Sequence, residues 1–382
     1  MLDFVTNRRV LVGEGALNEL PNVLKWYQKK KVFLVVFNKD ADCVKAAEKL
    51  LEDNGYPYVV YDKIVGEPDL TVVDNGTALC KENDCDAVVA IGGGSVIDTA
   101  KTISMMVTNG GCAEDYQLNG REVTQIPLLF VAIATTAGTG AEATKVSVIY
   151  NGNKGFKKAL YHNSMIAEVA ILDPITTVGL PPRVTCATGM DAITHAIESY
   201  VSNNANTISR MYSMKALEIL SQNIARVYRN PGDLEARSNM LLGSYLAGCA
   251  ISAGTTLAHI VGQPLGAVYH IPHGDACTIF LIPSMQLNVD YCTKDYCDVA
   301  KVLQVERTAD MDDRAYAMAG IDKLDALRRE IEAPVSLTPY VTREDFDMEG
   351  MLDNIQTSMG HIKTNPRPVS RELFRELIDM CF

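Results

Sequence analysis

The sequence is short of positive charge. Its 35 Lys and Arg residues face 47 Asp and Glu residues, which gives a formal net charge of −12 and an isoelectric point near 5.0. A chain with this charge is not expected to bind nucleic acid or an anionic membrane through its overall field. The one locally basic run, residues 29–31, is interpreted as a solvated helix end.

The sequence also lacks the cysteine spacing of a disulfide framework or a zinc ribbon. None of its ten cysteines forms a C-x-x-C pair, and several, including Cys249 and Cys277, lie in apolar contexts. We interpret them as reduced core thiols of a cytoplasmic protein. The N-terminal residues contain no apolar segment of signal-peptide length, which agrees with that compartment.

Long hydrophobic runs are nearly absent as well. Only residues 241–262 contain no Asp, Glu, Lys or Arg over the length of a membrane span. This stretch is rich in small and hydroxylated residues, contains His259 and has no close basic flanks. We therefore predict a buried helix or helix pair, and no membrane partner.

The pattern of the first half predicts an α/β fold with a parallel sheet. Apolar, β-branched runs at residues 31–37, 56–61, 86–91 and 128–134 alternate with helical patterns. Continuous apolar strands between helices are typical of a parallel sheet that is covered on both faces. Beyond residue 180 the period becomes helical, at 211–227, 240–253 and 310–331. We predict an α/β domain over residues 1–180 and an all-α domain over residues 181–382.

Two loops follow predicted strands and are suited to a phosphate group. The sequence Gly92-Gly93-Gly94-Ser95 joins a strand to a helix, where glycines let the backbone approach a bulky anion and the helix start offers free N–H groups. A second, hydroxyl-rich turn runs from Thr135 to Glu142. Either loop alone is compatible with a simple tight turn. Two such loops at the ends of parallel strands converge on the usual ligand crevice of an open sheet.

A cluster of Asp and His residues indicates a metal site. Asp191 and His195 are four residues apart on a predicted helix, so both side chains leave one face. Three of the six histidines, His259, His270 and His273, follow in the second domain, and spacing alone does not say whether His270 or His273 joins the site. An Asp/His set suits Fe(II), Zn(II), Mn(II) or Co(II). Taken in isolation, His259 is more simply a core histidine that bonds a carbonyl group.

Together these motifs resemble the iron-containing (group III) alcohol dehydrogenase family over essentially the whole chain. The family shows a Gly-Gly-Gly-Ser-x-x-Asp-x-x-Lys loop, matched at residues 92–101, and a Thr-Thr-x-Gly-Thr-Gly-x-Glu turn, matched at 135–142. It also shows Asp-Ala-x-x-His-Ala-x-Glu, matched at 191–198. A helix histidine and the histidine of a Pro-His-Gly turn are matched by His259 and His273.

The resemblance implies an N-terminal dinucleotide-binding domain, a C-terminal helical metal-binding domain, and metal and cofactor in the cleft between the domains. It implies Fe(II), with Zn(II) as an alternative, and NAD(H), with NADP(H) left open because Asn38 stands where many members have an Asp that repels a 2′-phosphate. The implied metal ligands are Asp191, His195, His259 and His273. The implied cofactor contacts are Asn38, Gly93, Gly94, Ser95, Asp98, Thr135, Thr136, Thr139 and Lys158.

One departure from the family concerns the proton path. Four residues after its first cleft histidine the family usually has a second histidine, but this chain has Gln263. A glutamine can donate a hydrogen bond but cannot titrate. Either water and the cofactor ribose carry the proton, or His270 substitutes, or the substrate needs an amide at Gln263.

The function that follows is an NAD(P)-dependent alcohol dehydrogenase, or aldehyde reductase. It would transfer hydride directly to a short-chain aldehyde or ketone polarised by a divalent metal. A lyase related to dehydroquinate synthase and a non-catalytic NAD-binding assembly protein are the alternatives. As partners we expect a small aldehyde or alcohol and a second copy of the chain, in a homodimer or a higher homo-oligomer. Residues 10–12 could pair between the subunits.

Overall fold

A computed structural model describes residues 3–152, 154, 156–357 and 362–382. The chain separates into two units, Met1–Gly179 and Leu180–Phe382. Each unit has its own hydrophobic core, and each contains one of the two groups of residues that the sequence singles out.

The first unit is an α/β structure. Its strands are β1 (Arg9–Val12), β2 (Val32–Val36), β3 (Tyr58–Tyr61), β4 (Ala87–Gly92), β5 (Leu129–Ala134), β6 (Val146–Asn151), β7 (Phe156–Tyr161) and β8 (Val169–Leu172). Its helices are α1 (Leu20–Trp26), α2 (Asp42–Asp53), α3 (Leu70–Glu82), α4 (Gly94–Asn109) and α5 (Ala113–Leu118).

Six of these strands form a parallel sheet in the order β1-β8-β5-β4-β2-β3. Both β3 and β4 pair with β2, on its opposite sides, so the winding of the chain reverses between β2 and β4. Such a reversal opens a crevice at the carboxyl ends of the strands. The predicted parallel sheet is confirmed, and its crevice lies where Asn38 and the glycine loop follow β2 and β4.

Burial on both faces explains why these strands read as continuous apolar runs. Alternate residues of the central strands, such as Val32, Leu34 and Val36 of β2, pack with α1 and α2 in one core cluster. The intervening residues, such as Val35 and Ala90, are equally buried on the opposite face. A strand with both faces covered needs apolar residues at every position.

The hairpin of β6 and β7 was not predicted from the sequence. It is antiparallel, stands apart from the six-stranded sheet, and exposes Tyr150 and Tyr161. Its strands therefore lack the continuous apolar run that identifies the buried strands.

The second unit is helical, and none of its described residues lies in a strand. Its helices are α6 (Pro182–Val201), α7 (Thr207–Arg229), α8 (Leu234–Ala250), α9 (Leu257–Tyr269), α10 (His273–Asn288), α11 (Thr293–Val302), α12 (Asp313–Glu330), α13 (Met348–Thr357) and α14 (Arg371–Asp379). The helical character predicted beyond residue 180 is confirmed.

The uncharged stretch at residues 241–262 is two helices rather than one. The chain breaks after α8 at Gly254, whose φ of 83° lies in the left-handed region, and α9 leaves at 102° to the preceding helix. Of the alternatives, the helix pair is correct, and His259 lies on the second helix. Among the described residues no single helix has the length and apolarity to cross a membrane, and only the bent pair Leu234–Ala253 and Leu257–Tyr269 meets those criteria together.

Candidate metal centre and cofactor loops

The two loops of the first unit that the sequence predicts to bind phosphate touch one another. β4 and β5 pair in register up to Gly92 and Ala134, so the loops that follow them leave the sheet side by side. A Cβ at Gly94 would lie 2.9 Å from Cγ2 of Thr139, and one at Gly93 would lie 3.1 Å from Oγ1 of Thr136. Glycine is therefore needed where the two loops meet, and the predicted convergence is confirmed in geometry.

The start of α4 offers donors to an anion. Gly93 is the N-cap residue in an extended conformation, with no side-chain cap. The amide groups of Gly94 and Ser95 precede the hydrogen-bond ladder of the helix, where the dipole also favours negative charge. Thr135 is buried, and its backbone N–H donates to the carbonyl of Gly92 at 3.0 Å, which ties the second loop to the first.

Asp98 and Lys101 brace these loops from inside the unit. Asp98 accepts a hydrogen bond from the backbone N–H of Val148 at 2.9 Å and lies 3.4 Å from Nζ of Lys101. Burial raises the pKa of Asp98 and lowers the pKa of Lys101, while each charge opposes the shift of the other. Nζ of Lys101 donates to the carbonyl groups of Ala141, Thr144 and Val146 and to Oγ1 of Thr144. The pyrophosphate contact predicted for Asp98 stays a prediction, since its carboxylate already holds β6.

Asn38 and Lys158 occupy different parts of the first unit. Asn38 is exposed two residues beyond β2, and its Oδ1 accepts from the N–H of Asp40 at 2.9 Å. Lys158 is exposed on β7, opposite Ile149 of the hairpin. Asn38 thus lies at the carboxyl edge of the sheet with the glycine loop, while the ribose contact of Lys158 remains a prediction.

Three helices of the second unit bring the predicted metal ligands together. Asp191 and His195 lie on α6, His259 lies in the first turn of α9, and His273 begins α10. Oδ1 of Asp191 lies 3.8 Å from Nε2 of His195, 3.6 Å from Nε2 of His259 and 3.5 Å from Nε2 of His273. Donor atoms that share one tetrahedral metal at bond lengths of about 2.0–2.2 Å are roughly 3.4 Å apart, so the spacing fits a single ion.

Unpaired polar atoms point to the same conclusion. Oδ1 of Asp191 and Nε2 of His259, which face one another, are buried and have no hydrogen-bond partner among the described residues. A buried polar atom without a partner is costly, on the order of 1–3 kcal/mol. A divalent cation would satisfy the carboxylate oxygen and the imidazole nitrogen. The Asp and His residues therefore fit a metal ion as a donor set.

Glu198 orients His259. Its Oε2 lies 2.5 Å from Nδ1 of His259, and its Oε1 accepts from Oγ1 of Thr256 and from the N–H of Ala258, both at 2.7 Å. The carboxylate therefore fixes the proton of His259 on Nδ1, which leaves Nε2 free to bind a metal. Taken alone in the sequence, Glu198 is indistinguishable from an ordinary polar residue of a helix.

Cys277 also belongs to the cluster, which the sequence interpretation missed. Ligand atoms of Asp191, His259, His273 and Cys277 all lie within 4.8 Å of one another. Cys277 is not merely a core thiol, because its Sγ lies 3.8 Å from Nε2 of His273. The signal was present in the spacing, since His273 and Cys277 are four residues apart on α10, as Asp191 and His195 are on α6.

The cluster shifts the pKa values of its members in opposite directions. Burial lowers the pKa of His195 to about 4, and the neighbouring histidines add to this effect. Burial would raise the pKa of Asp191, but the histidines, His195 first, outweigh it and hold the pKa below its ordinary range. The negative charge of a Cys277 thiolate is the largest influence on His273 and raises its pKa to about 9. His195 is therefore neutral and Asp191 ionised, as metal binding requires, whereas His273 must release its proton to bind a metal.

Two glycines let the three helices approach closely enough to form the cluster. A Cβ at Gly274 would lie 2.3 Å from the carbonyl oxygen of Ala187 on α6, so the turn that carries His273 can lie directly on that helix only without a side chain. A Cβ at Gly262 would lie 3.3 Å from the backbone of Ala276, where α9 packs on α10.

The two residues predicted to act in catalysis lie outside the cluster. Gln263 is exposed one turn beyond His259 on α9. His270 is exposed and caps the end of α9 with a left-handed φ of 55°. Of the two closely spaced histidines, the structure places His273 in the cluster, whereas the roles of Gln263 and His270 in proton transfer stay predictions.

A dinucleotide-type crevice in one unit and an Asp/His cluster in the other define a metal-dependent dehydrogenase as the class of protein. Residues 7–174 match the family model described as iron-containing alcohol dehydrogenase, and residues 185–382 match the C-terminal model of the Fe-containing alcohol dehydrogenase family. The chain belongs to the iron-containing alcohol dehydrogenase family. Its enzyme class, an alcohol dehydrogenase among the oxidoreductases, and its fold class are thereby confirmed.

Similar proteins extend over the full length of the chain. Alcohol dehydrogenase 4 of Saccharomyces cerevisiae (strain YJM789) is 34% identical over 375 residues, 97% of this chain and 96% of the relative. The NAD-dependent methanol dehydrogenase of Bacillus methanolicus is 30% identical over 382 residues, 99% of each chain. A crystal structure of 1,3-propanediol oxidoreductase, 28% identical, superimposes with a TM-score of 0.94 and covers 100% of both chains.

Proposed function

We propose that the chain is an NAD(H)-dependent alcohol dehydrogenase, or aldehyde reductase, for short-chain aldehydes or ketones. When bound, the nicotinamide would supply or accept a hydride at its C4 for direct transfer to or from the carbonyl carbon, with a proton taken up or released to balance the alcohol. The observation that carries the proposal is the approach of three imidazole Nε2 atoms to Oδ1 of Asp191, at 3.5–3.8 Å. The metal ligands are Asp191, His195, His259 and His273.

The metal is Fe(II), with Zn(II) as the alternative. When bound, such an ion supplies Lewis acidity that polarises a carbonyl group and stabilises the developing alkoxide. Asp191 contributes the one negative charge of the set, so a divalent site with three neutral histidines keeps a net charge of +1. Glu198 presents Nε2 of His259 toward the site by holding the proton on Nδ1.

The cofactor is NAD(H), held at the carboxyl edge of the sheet. Gly93 and Gly94 let the two loops pack together, and the first amide groups of α4 would donate to the pyrophosphate. The hydroxyl groups of Thr136 and Thr139 border the same space. The relative from Bacillus methanolicus is by name NAD-dependent, which supports this choice. Asn38 in place of a carboxylate leaves NADP(H) as the second candidate.

The proposed proton path involves Gln263 and His270. Gln263 can orient a water molecule or a hydroxyl group by hydrogen bonding but cannot exchange a proton through its amide. His270 carries an imidazole and is exposed, so it is the candidate for proton exchange with solvent.

Metal analysis combined with NADH oxidation tests the proposal. Protein purified without added metal, then reconstituted anaerobically with Fe(II) or with Zn(II), is assayed against a panel of short aldehydes, diols and hydroxy acids. We expect one divalent ion per chain and metal-dependent NADH oxidation with at least one aldehyde. Protein that binds no metal and turns over no aldehyde would overturn the proposal and favour a non-catalytic NAD-binding protein. Turnover of a phosphorylated carbohydrate without net NADH oxidation would favour the lyase.

The proposed setting is the cytoplasm, and the proposed assembly is a homodimer or a higher homo-oligomer. None of the ten cysteines, all of which lie among the described residues, forms a disulfide bond, which suits a reducing compartment. Among the described strands β1 pairs only with β8, so its other edge offers unpaired backbone groups to a second copy of the chain. Light scattering at low micromolar concentration, with Val10→Pro as the disrupting variant, tests the assembly.

A further inference from the structure

We propose that the thiolate of Cys277 is a further ligand of the proposed metal, which makes the centre an oxygen, nitrogen and sulfur site and raises its affinity for Zn(II), the alternative ion, relative to Fe(II). The inference rests on the proposed metal site and adds a donor to it. The sequence-based ligand set contains only oxygen and nitrogen donors.

The position of the sulfur carries the inference. Sγ of Cys277 lies 3.8 Å from Nε2 of His273, and the ligand atoms of Asp191, His259, His273 and Cys277 are mutually within 4.8 Å. Nitrogen and sulfur donors on one tetrahedral zinc, at bond lengths of about 2.0 and 2.3 Å, are roughly 3.5 Å apart. The sulfur therefore needs to move by only a few tenths of an ångström relative to His273.

Unpaired neighbours give an independent reason for an ion at this position. Oδ1 of Asp191 and Nε2 of His259 are buried in residues only 2% and 6% exposed, and they have no hydrogen-bond partner among the described residues. Both atoms belong to the residues that surround the sulfur. The sulfur thus lies beside two buried polar atoms that a cation would satisfy.

His195 fits this set of donors less closely than the other proposed ligands do. It lies outside the group whose ligand atoms are mutually within 4.8 Å, and its ring stacks on that of His259 with the centroids 4.6 Å apart. The cluster thus offers five donors for an ion that, in a catalytic zinc site, usually takes three protein ligands and keeps one position open. Cys277 is the fifth of these donors, and its soft sulfur favours zinc.

Cobalt substitution tests the inference without using activity. The full-length protein, stripped of metal and loaded with Co(II), should show strong near-ultraviolet absorption from thiolate-to-cobalt charge transfer. Cys277→Ser should lose this band while it retains bound cobalt. Cys186→Ser, which removes a buried thiol of α6 outside the cluster, should keep the band.

Metal competition gives a second readout. Apo forms of the wild type and of Cys277→Ser are each offered equal Fe(II) and Zn(II) under anaerobic conditions, and the retained metals are quantified. Cys277→Ser should shift the retained zinc-to-iron ratio toward iron relative to the wild type, because serine replaces a soft sulfur donor with a hard oxygen. His195→Ala should retain zinc in the presence of Cys277 and lose it in the double variant with Cys277→Ser.

Stoichiometric cobalt binding without the charge-transfer band in the wild type would overturn the inference while leaving the proposed function intact. That result needs no variant, so it holds even if the serine substitution prevents folding. Failure of the wild type to bind cobalt would overturn the proposed metal site and the inference with it.

Discussion

The cofactor loops of the first unit and the metal cluster of the second are built from different parts of the polypeptide. The loops use backbone amide groups, hydroxyl groups and the space left by Gly93 and Gly94. The cluster uses ionisable side chains that three helices carry into one buried place. A site made of backbone groups depends on residues small enough for the loops to approach each other. A site made of side chains depends on the charges of its ligands and on the hydrogen bonds that orient them. The two sites should therefore fail independently when mutated.

His259→Ala should have the largest effect, which we expect at the metal cluster. We expect metal content to fall below stoichiometry and kcat to fall about 10³-fold or more, since even one donor to a developing oxyanion is worth 10²–10³. Elemental analysis and NADH oxidation measure these changes. NADH binding by fluorescence should survive, because the loops of the first unit are untouched. A variant that keeps both metal and full activity would contradict the ligand assignment.

Glu198→Gln tests whether the cluster depends on its outer hydrogen bonds. The amide group would donate to Nδ1 of His259 and drive the ring proton onto Nε2, the atom needed for metal. We expect metal affinity to fall roughly 10–100-fold, measured by competition with a chelating dye. Glu306→Gln, at an exposed site, is the matched control. Unchanged affinity would show that Glu198 only caps α9.

Gly94→Ala should impair the cofactor loops. The new methyl group would lie 2.9 Å from Cγ2 of Thr139 and displace the loop. We expect the Kd for NADH to rise about tenfold, the loss of one hydrogen bond to a charged group, with metal content unchanged. Thr139→Ser in the same chain removes Cγ2 and should restore part of the affinity. A loss of metal in Gly94→Ala would mean that the two sites are coupled.

Glu142→Gln contrasts a buried carboxyl of the first unit with ionised Asp191 in the second. Burial raises the pKa of Glu142 from 4.5 to about 7. The folded state therefore favours the neutral carboxyl group of Glu142. The stability that this preference contributes is fully present below pH 4.5 and is lost as the pH rises from 4.5 toward 7. At pH 8 the glutamine variant should exceed the wild type by up to about 3 kcal/mol, and at pH 4.5 the two should agree. Urea unfolding at both pH values measures this, with exposed Glu82→Gln as the control; an equal gain at both pH values would contradict the assignment.

Gln263→His should have the smallest effect. A titratable group one turn beyond His259 should shift the pH dependence of kcat by adding an ionisation near neutral pH, with little change in metal or NADH binding. Steady-state kinetics between pH 5.5 and 9 measure the profile. A profile identical to that of the wild type would assign Gln263 a structural role only.

The sequence predicted the parallel sheet and its loops well because burial on both faces requires a continuous apolar run in each strand. It missed the β6–β7 hairpin, whose exposed tyrosines interrupt such a run. It predicted a helix or helix pair at residues 241–262 but could not place the break, which depends on the left-handed backbone of Gly254. The absence of charged residues indicates that this segment is buried, but it does not show where the helix direction changes.

For the metal cluster the sequence supplied the residue types but not their partners. His270 and His273 are too close in sequence for periodicity to separate them, and the contact of Gly274 with α6 decides which one enters the cluster. Cys277 was interpreted from its apolar neighbours, although its spacing from His273 repeats that of Asp191 and His195. Glu198 could be assigned only once its distance to His259 was known.

Because Lys101 braces the cofactor loops, the chemical reactivity of its amine can report whether these loops are ordered. Its amine is fully buried and bonded to four oxygen atoms, so an acylating reagent will modify exposed lysines of the folded protein and spare this one. Once the loops loosen, the amine loses its acceptors and becomes reactive. Mass spectrometry of the peptide that contains Lys101 would therefore follow the order of the loops, in a cell extract as readily as in a purified sample.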